Sequence, residues 1–419
     1  MYQAPRGTQD VLPEEEKYWH FVEGTASRLA EQFGYGQIRI PTFEETGLFL
    51  RGVGETTDIV SKEMYTFEDK GGDSLTLRPE ATAPIMRIYM EHGLANRPQP
   101  VKLYFLGSMY RYDRPQAGRY REFHQFDVEA IGEDDATVDA EVILLAWRFF
   151  EALGLRGLSI QLNSIGDRKC RPGYLRVLKE HFSLHKDELC SDCRRRLDTN
   201  PLRLLDCKND QCQLAIATAP SSTDHLCGDC QTHFSVLREM LRSVDLPVFM
   251  NPRLVRGLDY YTRTVFEIWP QTVGAQSALG GGGRYDGLME QLGGKPTPGI
   301  GFAVGIERII LNIKQQDVQV PEVGRPAVYV AHQGAESKIV ALRLADEVRK
   351  SGLKCVSGLG TRSLKSQLKQ ANNLGARFAF ILGEQEVADG TVTVRNLAES
   401  EQWRESRQAA IERVLSPER

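Results

Sequence analysis

The sequence lacks a long apolar run, a large net charge of either sign and a signal-peptide pattern. Hydrophobic residues make up 41% of the 419 residues, and no run of them approaches the ~20 residues that a membrane-spanning helix needs. Met1–Pro5 does not show the basic and then apolar pattern of a signal peptide. We therefore expect a cytoplasmic protein with no membrane partner. The formal net charge is −4, so any contact with a nucleic acid must depend on local basic patches.

The sequence also lacks the common motifs for phosphate binding and for covalent catalysis. No glycine-rich segment has the spacing of a P-loop or of a dinucleotide fingerprint. No Ser-His-Asp or Cys-His arrangement is visible, so a covalent nucleophile is not indicated. His124 alternates with Gln125 on a predicted strand and should point to the other side of the sheet, where we predict ordinary packing for it. His233 and His332 have no partner pattern.

A segment from Leu254 to Tyr261 combines one cation, one carboxylate and two phenols around a glycine. It reads Leu-Val-Arg-Gly-Leu-Asp-Tyr-Tyr and leads into an apolar, strand-like stretch, Thr264–Trp269. A cation beside paired aromatic hydroxyls suits a small polar ligand that carries an anionic part and a ring. A sheet edge with a buried Arg–Asp pair would show the same pattern, so this segment alone does not decide the function.

Four arginines surround a predicted hairpin between Tyr110 and Gly132. They flank a Pro-Gln-Ala-Gly turn and are Arg111, Arg114, Arg119 and Arg121. The residues that share one face of the strand after the turn are Phe123, Gln125, Asp127 and Glu129. Arginine without lysine favours planar, bidentate recognition of an anion. A solvated hairpin with alternating charges remains the other interpretation.

A third unusual stretch begins with four consecutive glycines, Gly280–Gly283. Such a run lets the backbone approach a ligand closely, although a flexible loop would also explain it. It is followed by Gly299–Arg308, which reads as a strand of small residues that passes into a helix. Three segments with anion-binding and ring-binding character in one chain favour a site for a ligand that has both features.

These three segments resemble the signature motifs of class II aminoacyl-tRNA synthetases, and Arg256–Tyr261 resembles the element characteristic of the histidyl-tRNA synthetase family. The likeness runs nearly end to end. Arg6–Pro13 is similar to the family's opening, Gly34–Pro41 to its dimer-forming motif, and Thr76–Thr82 to the loop that holds an amino group. There are two departures, because Asp113 stands where the family usually has glutamate and Ala81 where glycine is common.

The resemblance implies an α+β fold. A class II catalytic core built on an antiparallel sheet is expected in residues 1–325, with a Cys-rich insertion at about 168–248. A C-terminal α/β anticodon-binding domain is expected in residues 326–419. The residues themselves agree, since strand-like and helix-like stretches alternate from Val328 to Leu382. Apolar residues at helical spacing also predict helices at Glu14–Phe33 and Asp135–Leu153.

The reaction implied by the resemblance is activation of L-histidine with ATP to histidyl-adenylate, followed by transfer to the 3′ end of tRNA(His). AMP and pyrophosphate are released, and Mg²⁺ and a homodimer are expected. By motif, Arg111 and Arg256 are the catalytic candidates. Those for ATP binding are Arg111, Asp113, Arg119, Arg256 and Arg308. Those for histidine binding are Glu80, Ala81, Thr82, Arg111, Gln125, Glu129, Arg256, Tyr260, Tyr261 and Tyr285.

Seven of the eight cysteines lie between Cys170 and Cys230. Two pairs have the Cys-x-x-Cys spacing of a tetrahedral zinc site, and the candidate ligands are Cys190, Cys193, Cys227 and Cys230. Zinc on four thiolates would be structural, because no coordination position stays open. Reduced cysteines without a metal, or redox chemistry, are the alternatives that the spacing leaves open.

Two other functions are compatible with parts of the sequence. One is a non-catalytic regulatory subunit that resembles a synthetase and senses histidine. Arg111, Arg256, Arg308 and the presence of a domain after Arg325 argue against it. The other is a class II synthetase for another amino acid, such as threonine, proline or glycine, but those enzymes lack the Arg256–Tyr261 element.

Overall fold

Two separate units make up the computed structural model, which describes residues 2–54, 57–271, 278–322 and 324–416. The larger unit is Met1–Val320 and the smaller is Pro321–Arg419. The sequence places the division at 325/326, within the polar stretch Gln315–Arg325. Residue 323 of that stretch lies outside the described residues. Among the described residues, no helix is both long and apolar enough to cross a membrane.

The larger unit combines two sheets with helices. Its strands are β1 (Gly36–Gln37), β2 (Phe43–Glu45), β3 (Tyr65–Glu68), β4 (Ser74–Leu77), β5 (Val101–Tyr110), β6 (Glu122–Ile131), β7 (Leu158–Ser164), β8 (Val248–Met250), β9 (Thr262–Pro270), β10 (Gly280–Arg284) and β11 (Gly299–Gly305). Its helices are α1 (Glu16–Gln32), α2 (Thr46–Val53), α3 (Thr82–Glu91), α4 (Ala136–Ala152), α5 (Arg171–Leu184), α6 (Ser191–Thr199), α7 (Gln213–Ala217), α8 (Gly228–Ser243), α9 (Leu288–Gln291) and α10 (Ile306–Gln315). A single π-helical turn spans Ile59–Glu63.

The main sheet has eight strands in the order β1-β5-β6-β11-β10-β9-β7-β8. Its strands pair antiparallel except at the two edges, where β1 pairs parallel to β5 and β8 parallel to β7. The central neighbours β6, β11, β10 and β9 are therefore the strands that carry or adjoin all three unusual segments of the sequence. A second, three-stranded sheet has the order β2-β4-β3.

Side-chain alternation gives the main sheet two different faces. On β6, Phe126 and Val128 are fully buried in the largest apolar core, together with residues of α1, α4 and α10. The intervening residues Gln125, Asp127 and Glu129 point the other way. The predicted helices are confirmed as α1 and α4, and Asp135 caps α4 by accepting a hydrogen bond from the Thr137 amide. One face is thus closed by helices and the other is left for polar residues.

The four-glycine run is a strand and not a flexible loop. Gly281 pairs with Glu267 on β9 and with Ala303 on β11, in the middle of the sheet. A Cβ at Gly282 would lie 1.9 Å from the Gly301 carbonyl oxygen and 2.7 Å from the Phe302 Cα. Glycine is therefore required because the neighbouring backbone occupies the space that a side chain would need.

The cysteine-rich segment connects β7 to β8 through α5, α6, α7, α8 and several short 3₁₀ turns. Buried apolar residues, including Leu178, Phe182, Leu197 and Leu204, pack inside this segment and against the rest of the larger unit. The chain then returns as β8, which pairs with β7 at the edge of the main sheet. The segment is thus attached to the sheet at both of its ends.

The smaller unit is a mixed five-stranded sheet with helices. Its strands are β12 (Val328–His332), β13 (Cys355–Ser357), β14 (Phe378–Leu382), β15 (Thr391–Asn396) and β16 (Gln402–Ser406), and its helices are α11 (Ala335–Lys350), α12 (Leu364–Asn373), α13 (Glu384–Asp389) and α14 (Arg407–Leu415). The order is β13-β12-β14-β15-β16, with parallel pairing up to β14 and antiparallel pairing after it. The predicted strands and helices from Val328 to Leu382 are confirmed, whereas β15, β16, α13 and α14 were not anticipated.

We predict that Gly282→Ala lowers the free energy of unfolding of the larger unit by about 3 kcal/mol, because the added methyl group overlaps the β11 backbone. Gly24→Ala is the matched control, since this exposed glycine in α1 has no atom within 4 Å of its Cβ position. The control should stabilise the helix by about 0.5–1 kcal/mol. Calorimetric unfolding of both variants measures the difference, and equal melting temperatures would contradict the prediction.

Candidate active site

A cavity of about 1020 Å³ lies over β6, β9, β10 and β11 in the larger unit. The predicted active-site residues that line it are Glu80, Thr82, Arg111, Asp113, Arg119, Gln125, Glu129, Arg256, Tyr260, Tyr261, Tyr285 and Arg308. Ala81 is the exception, because it is fully buried at the N-terminus of α3, between Glu80 and Thr82. Residues that are far apart in sequence thus share one cavity.

One end of the cavity is acidic. Glu80, Asp127 and Glu129 are each at most 3% exposed. Both oxygens of Glu80 accept hydrogen bonds from the first turn of α3, from the amides of Thr82 at 2.8 Å and of Ala83 at 2.9 Å. This anchors the Glu80 carboxylate at the positive end of the helix dipole.

Glu129 lies at the centre of the acidic end. Its Oε1 accepts a hydrogen bond from the Thr82 hydroxyl at 2.7 Å, and its Oε2 accepts one from the Tyr285 hydroxyl. Burial raises the pKa of Glu129 to about 8, against the opposing effect of these two hydrogen bonds. Burial, and then the charges of Glu129 and Glu80, hold the pKa of Asp127 well above its ordinary value. Both carboxyl groups therefore hold a proton more readily than an ordinary carboxyl group does in the absence of a cationic ligand.

Two buried acceptor atoms at this end have no hydrogen-bond partner among the described residues. They are Gln125 Oε1 and Asp127 Oδ2. A buried polar atom without a partner costs free energy, so a ligand that brings hydrogen-bond donors would be favoured here. Tyr260, whose ring centroid lies 4.7 Å from that of Tyr261 and 5.9 Å from that of Tyr285, forms an aromatic wall with these two residues.

Arg111 and Arg256 bring positive charge towards the middle of the cavity. Arg111 follows the end of β5, donates from Nε to the Pro79 carbonyl oxygen at 2.8 Å, and lies 5.2 Å from the centre of the Phe123 ring. Burial lowers the pKa of Arg111, whereas Glu63 and Glu80 raise it. Arg256 pairs with the Glu267 carboxylate, whose other oxygen accepts from the Trp269 indole at 2.7 Å. Burial would lower the pKa of Arg256, but Glu267 raises it overall.

Arg119 and Arg308 extend the positively charged part of the cavity as far as the predicted hairpin turn. Arg308 donates from Nε to the Gly118 carbonyl oxygen at 3.0 Å and from Nη1 to the Ala278 carbonyl oxygen at 2.9 Å. Arg119 Nη1 lies 3.3 Å from Asp113 Oδ2. Arg308 thus ties this turn to the residues that precede β10. The arginines and the buried carboxylates give the cavity a basic and an acidic part.

Two glycines make room for the charged side chains. A Cβ at Gly281 would lie 3.0 Å from Arg256 Nη1, and one at Gly301 would lie 1.9 Å from Glu129 Oε2. Side chains at these positions would displace the guanidinium and the carboxylate. The glycine-rich strands β10 and β11 therefore form the floor under Arg256 and Glu129.

Some cavity residues have no signal in the sequence. Asp206, Cys207, Lys208 and Gln213 come from the segment between β7 and β8, and Arg253 follows β8. Nothing in the spacing of these residues points to the cavity, because the chain reaches it only through tertiary folding. Asp127 differs, since its alternation with Gln125 and Glu129 places it on the cavity face, yet it was given no role.

Two histidines outside the cavity, His124 and His233, are packed against other side chains. His124 contacts Glu307 Oε1 at 2.9 Å and Ser108 Oγ at 3.1 Å, with its ring 4.8 Å from Trp19, so the predicted packing of His124 is confirmed. His233 has a partner that the sequence does not reveal. Its Nε2 lies 2.9 Å from the buried Asp139, which also accepts from Arg284 Nε at 2.7 Å.

The structure corrects the predicted four-cysteine metal site. Cys190 and Cys193 do not share a cluster with Cys227 and Cys230. The first pair lies with Cys207 and Cys212, and the second lies with Cys170 and Asp167. Each pair lies at the start of a different helix, α6 or α8, and the buried apolar residues of these two helices belong to different cores. The spacing in the sequence identified the two Cys-x-x-Cys pairs, but it did not reveal the other residues that lie beside each pair.

Comparison with known proteins gives one consistent result. The family model described as histidyl-tRNA synthetase matches residues 7–168 and 185–309, and the one described as anticodon binding domain matches residues 327–416. A histidine–tRNA ligase of Dehalococcoides mccartyi is 58% identical over 402 residues, which cover 96% of each chain. One of Natranaerobius thermophilus is 50% identical and covers 98% of each chain. The crystal structure of apo S. aureus histidyl-tRNA synthetase has a TM-score of 0.84 at 38% identity, covering 99% of this chain and 100% of that one.

We predict that Glu129→Gln weakens the pH dependence of stability in the ligand-free protein. The folded protein keeps the Glu129 proton up to a pH of about 8, whereas an unfolded glutamate loses it near its ordinary pKa of about 4.3. Between these values the folded state binds more protons, so wild-type stability falls as the pH rises. Because the substituted side chain does not titrate, the slope of the free energy of unfolding against pH should become smaller by the contribution of about one proton.

Melting temperatures between about pH 5 and pH 8 measure this slope. Glu68→Gln, at an exposed position on β3, is the control and should retain the wild-type slope. If Glu129→Gln has the same slope as the control, Glu129 does not hold a proton in the empty site.

Proposed function

The chain belongs to the histidyl-tRNA synthetase family, and we propose that its cavity binds histidine at the acidic end and ATP at the arginine-lined end. The predicted family, fold class and reaction are confirmed by the comparisons. The chain is a ligase that activates L-histidine with ATP and transfers the histidyl group to the 3′ end of tRNA(His), releasing pyrophosphate and AMP.

The proposal that histidine binds at the acidic end rests on two buried acceptor atoms that have no hydrogen-bond partner among the described residues, Gln125 Oε1 and Asp127 Oδ2. An α-ammonium group brings three N–H donors and one positive charge, which is what these acceptors and the buried carboxylates lack. Glu80, Thr82 and Gln125 are the proposed ammonium ligands, and Asp127 joins them on this geometry. Ala81 contributes by its backbone, since it sets the spacing between Glu80 and Thr82 at the start of α3.

The imidazole ring is the part of the substrate that the site must distinguish. Glu129 and Tyr261 are the proposed partners of the two ring nitrogens, with Tyr260 and Tyr285 as walls. Glu129 can accept or donate because its pKa is about 8, which suits a ring that has one donor and one acceptor nitrogen. Analogues without these nitrogens would not form the proposed hydrogen bonds with Glu129 and Tyr261, and sites that depend on such bonds reject analogues by about 10⁴-fold or more.

The activation step brings two anions together. A histidine carboxylate oxygen attacks the α-phosphorus of ATP, and the bond from that phosphorus to the pyrophosphate oxygen breaks. Arg111 is proposed to bridge the carboxylate and the α-phosphate, and Arg256 to place a second cation on the α-phosphate. Both guanidiniums are fixed by hydrogen bonds within the fold, so neutralisation and alignment need little reorganisation.

The remaining nucleotide contacts are assigned to the hairpin turn. Arg119 and Arg308 are proposed to hold the γ-phosphate of a bent ATP, and Asp113 to contact the adenine amino group. Arg308 already fixes the backbone of Gly118 in this turn, so the turn and the phosphate site are coupled. Asp113 is shorter than the glutamate that is usual in the family, and its pairing with Arg119 reaches across the turn.

Mg²⁺ is expected with the nucleotide. Two carboxylates on the arginine-lined side, Glu267 and Asp113, are already paired with Arg256 and Arg119. Because both carboxylates are already paired, the residues on this side fit an ion that is held largely by the phosphate oxygens of the nucleotide. When bound, the ion would neutralise charge on the β- and γ-phosphates.

We assign the tRNA contacts to two regions and the protein to the cytoplasm. The turn at residues 114–120 is proposed to meet the acceptor end, where arginine suits the extra 5′ guanosine expected of tRNA(His). Residues 326–419 are proposed to bind anticodon bases as unstacked single strand, and residues 1–325, including the insertion at about 168–248, to carry the catalytic chemistry. The match of residues 327–416 to the anticodon binding domain model supports the role proposed for residues 326–419.

We expect Arg256→Ala to lower the rate of histidine-dependent ATP–pyrophosphate exchange by about 10²-fold or more, with a much smaller change in histidine affinity. The reason is that Arg256 would act on charge that develops at the α-phosphate. Arg28→Ala, on the exposed side of α1, is the control and should exchange like the wild type. The wild type should exchange with histidine and with no other standard amino acid.

An unchanged exchange rate with weaker histidine binding would make Arg256 a binding residue only. Histidine binding by the wild type without any exchange would instead indicate the non-catalytic regulatory relative. The two failures differ, because only the second one affects the wild-type protein.

A homodimer is proposed from the segment Gly34–Pro41, which resembles the family's dimer-forming motif. It includes β1, at one edge of the main sheet, and leads to a nearby surface where Phe43 and Phe67 are 50% and 43% exposed with ring centroids 6.2 Å apart. Sedimentation equilibrium should give the mass of two chains. The mass of one chain, 47.1 kDa, at micromolar concentration would contradict the dimer.

A further inference from the structure

Four cysteines of the segment between β7 and β8 form a compact group, which we call cluster A. Its members are Cys190, Cys193, Cys207 and Cys212, and their sulfur atoms all lie within 4.8 Å of one another. The sulfurs of Cys190 and Cys207 are 3.9 Å apart. Cys193 and Cys212 are buried and the other two are half-buried, so the group is closed to solvent on one side.

A second group, cluster B, has three cysteines and a carboxylate. It consists of Asp167, Cys170, Cys227 and Cys230, whose ligand atoms also lie within 4.8 Å of one another. The sulfurs of Cys170 and Cys230 are 3.9 Å apart, and Asp167 Oδ1 lies 3.5 Å from the Cys170 sulfur and 3.9 Å from that of Cys227. Cluster B joins the loop that follows β7 to the N-terminal ends of α5 and α8.

The sulfur spacing fits a shared metal ion better than a disulfide. A disulfide needs about 2.05 Å between its sulfurs, and all eight cysteines are free thiols. Around a tetrahedral zinc ion with bonds of about 2.3 Å, two sulfurs are about 3.8 Å apart. Two packed thiols can also reach this distance. Four ligand atoms within 4.8 Å of one another, twice in one segment, are close enough to share one ion at each cluster.

Backbone amides lie against sulfur atoms in both clusters. The Cys190 amide lies 3.2 Å from the Cys212 sulfur, and the Asn209 amide lies 3.4 Å from the Cys207 sulfur. At cluster B, the Asp167 amide lies 3.4 Å from the Cys170 sulfur. Cys193 and Cys230 are in the first turns of α6 and α8, where the helix dipole stabilises negative charge. Four negatively charged ligands without a cation would repel one another.

Both clusters connect directly to the active site. Cys207 of cluster A and its neighbours Asp206 and Lys208 line the cavity. Beside cluster B, Arg171 donates hydrogen bonds to the carbonyl oxygens of Gly166 and Tyr261. It therefore links α5 to Tyr261, which is one of the residues proposed to bind the imidazole ring. Around cluster A the chain has only short elements, such as the 3₁₀ turns at Pro201–Leu204 and Asp210–Cys212. Short elements of this kind commonly need a metal or another cross-link to stay folded.

We propose that this segment binds two structural zinc ions, one on the four thiolates of cluster A and one on the three thiolates and the Asp167 carboxylate of cluster B. Thiolate-rich sites select zinc over Mg²⁺, and four protein ligands leave no position for a substrate. The ion at cluster A fixes the chain that carries Lys208 into the cavity. The ion at cluster B fixes the base of α5, and through Arg171 it fixes the backbone at Tyr261.

Zinc content of protein purified without chelators tests this proposal. The full-length wild type should hold two zinc ions per chain by mass spectrometry of the metal. Cys193→Ser should lose the ion of cluster A and keep the other, and Cys230→Ser should do the reverse. Cys355→Ser is the matched control, since this buried cysteine lies in the smaller unit, outside both clusters, and both ions should remain.

A wild type without zinc overturns the proposal, whether its thiols are then all reduced or paired as disulfides. So does a single zinc ion that both variants lose. If the variants do not fold, X-ray absorption of zinc in the wild type decides, because the two sites together predict seven sulfur ligands and one oxygen. A first shell dominated by nitrogen or oxygen overturns the assignment. Metal content is independent of the exchange assay, so failure of this proposal and failure of the proposed site roles are distinguishable.

Discussion

The antiparallel pairing of β6, β11, β10 and β9 is the constraint on which the rest of the larger unit depends. It places Gly281 opposite Glu267, and it places Glu129 opposite Gly301, which is more than a hundred positions away in the sequence. The backbones can approach this closely only because the facing residues are glycines. Since helices cover the other face, the polar face of these strands is the one that remains available for a ligand.

The cavity on that face separates its charges. Buried carboxyls lie at one end, where burial and mutual repulsion raise the pKa values of Asp127 and Glu129. Arginines held by backbone carbonyl groups and carboxylates approach from the other parts. A cationic ammonium with an imidazole and a chain of phosphates are complementary to these two parts. This distribution of charge favours binding of the proposed substrates and suits electrostatic stabilisation of the proposed activation step.

The segment between β7 and β8 contributes to the same site from outside the strand framework. It begins and ends at one edge of the sheet, its buried apolar residues pack within it and against the rest of the larger unit, and it has two clusters of potential ligands. Cluster A lies beside a wall of the cavity, and cluster B lies behind the backbone of Tyr261. Rigidity in this segment would thus be transmitted to the position of Lys208 and of the aromatic wall.

Local pattern in the sequence determined much of what the molecule is. Alternation placed Gln125, Asp127 and Glu129 on one face, helical spacing located α1 and α4, and motif resemblance identified the family, because these features depend on neighbours in the chain. Tertiary structure alone decided how the cysteine pairs are grouped, that the four glycines form a central strand, and that Asp206 and Lys208 reach the cavity. It also decided that Asp127 is buried without a full set of partners. These properties depend on which distant segments meet in the fold, and the spacing of residues along the sequence carries no information about the distance between two helices.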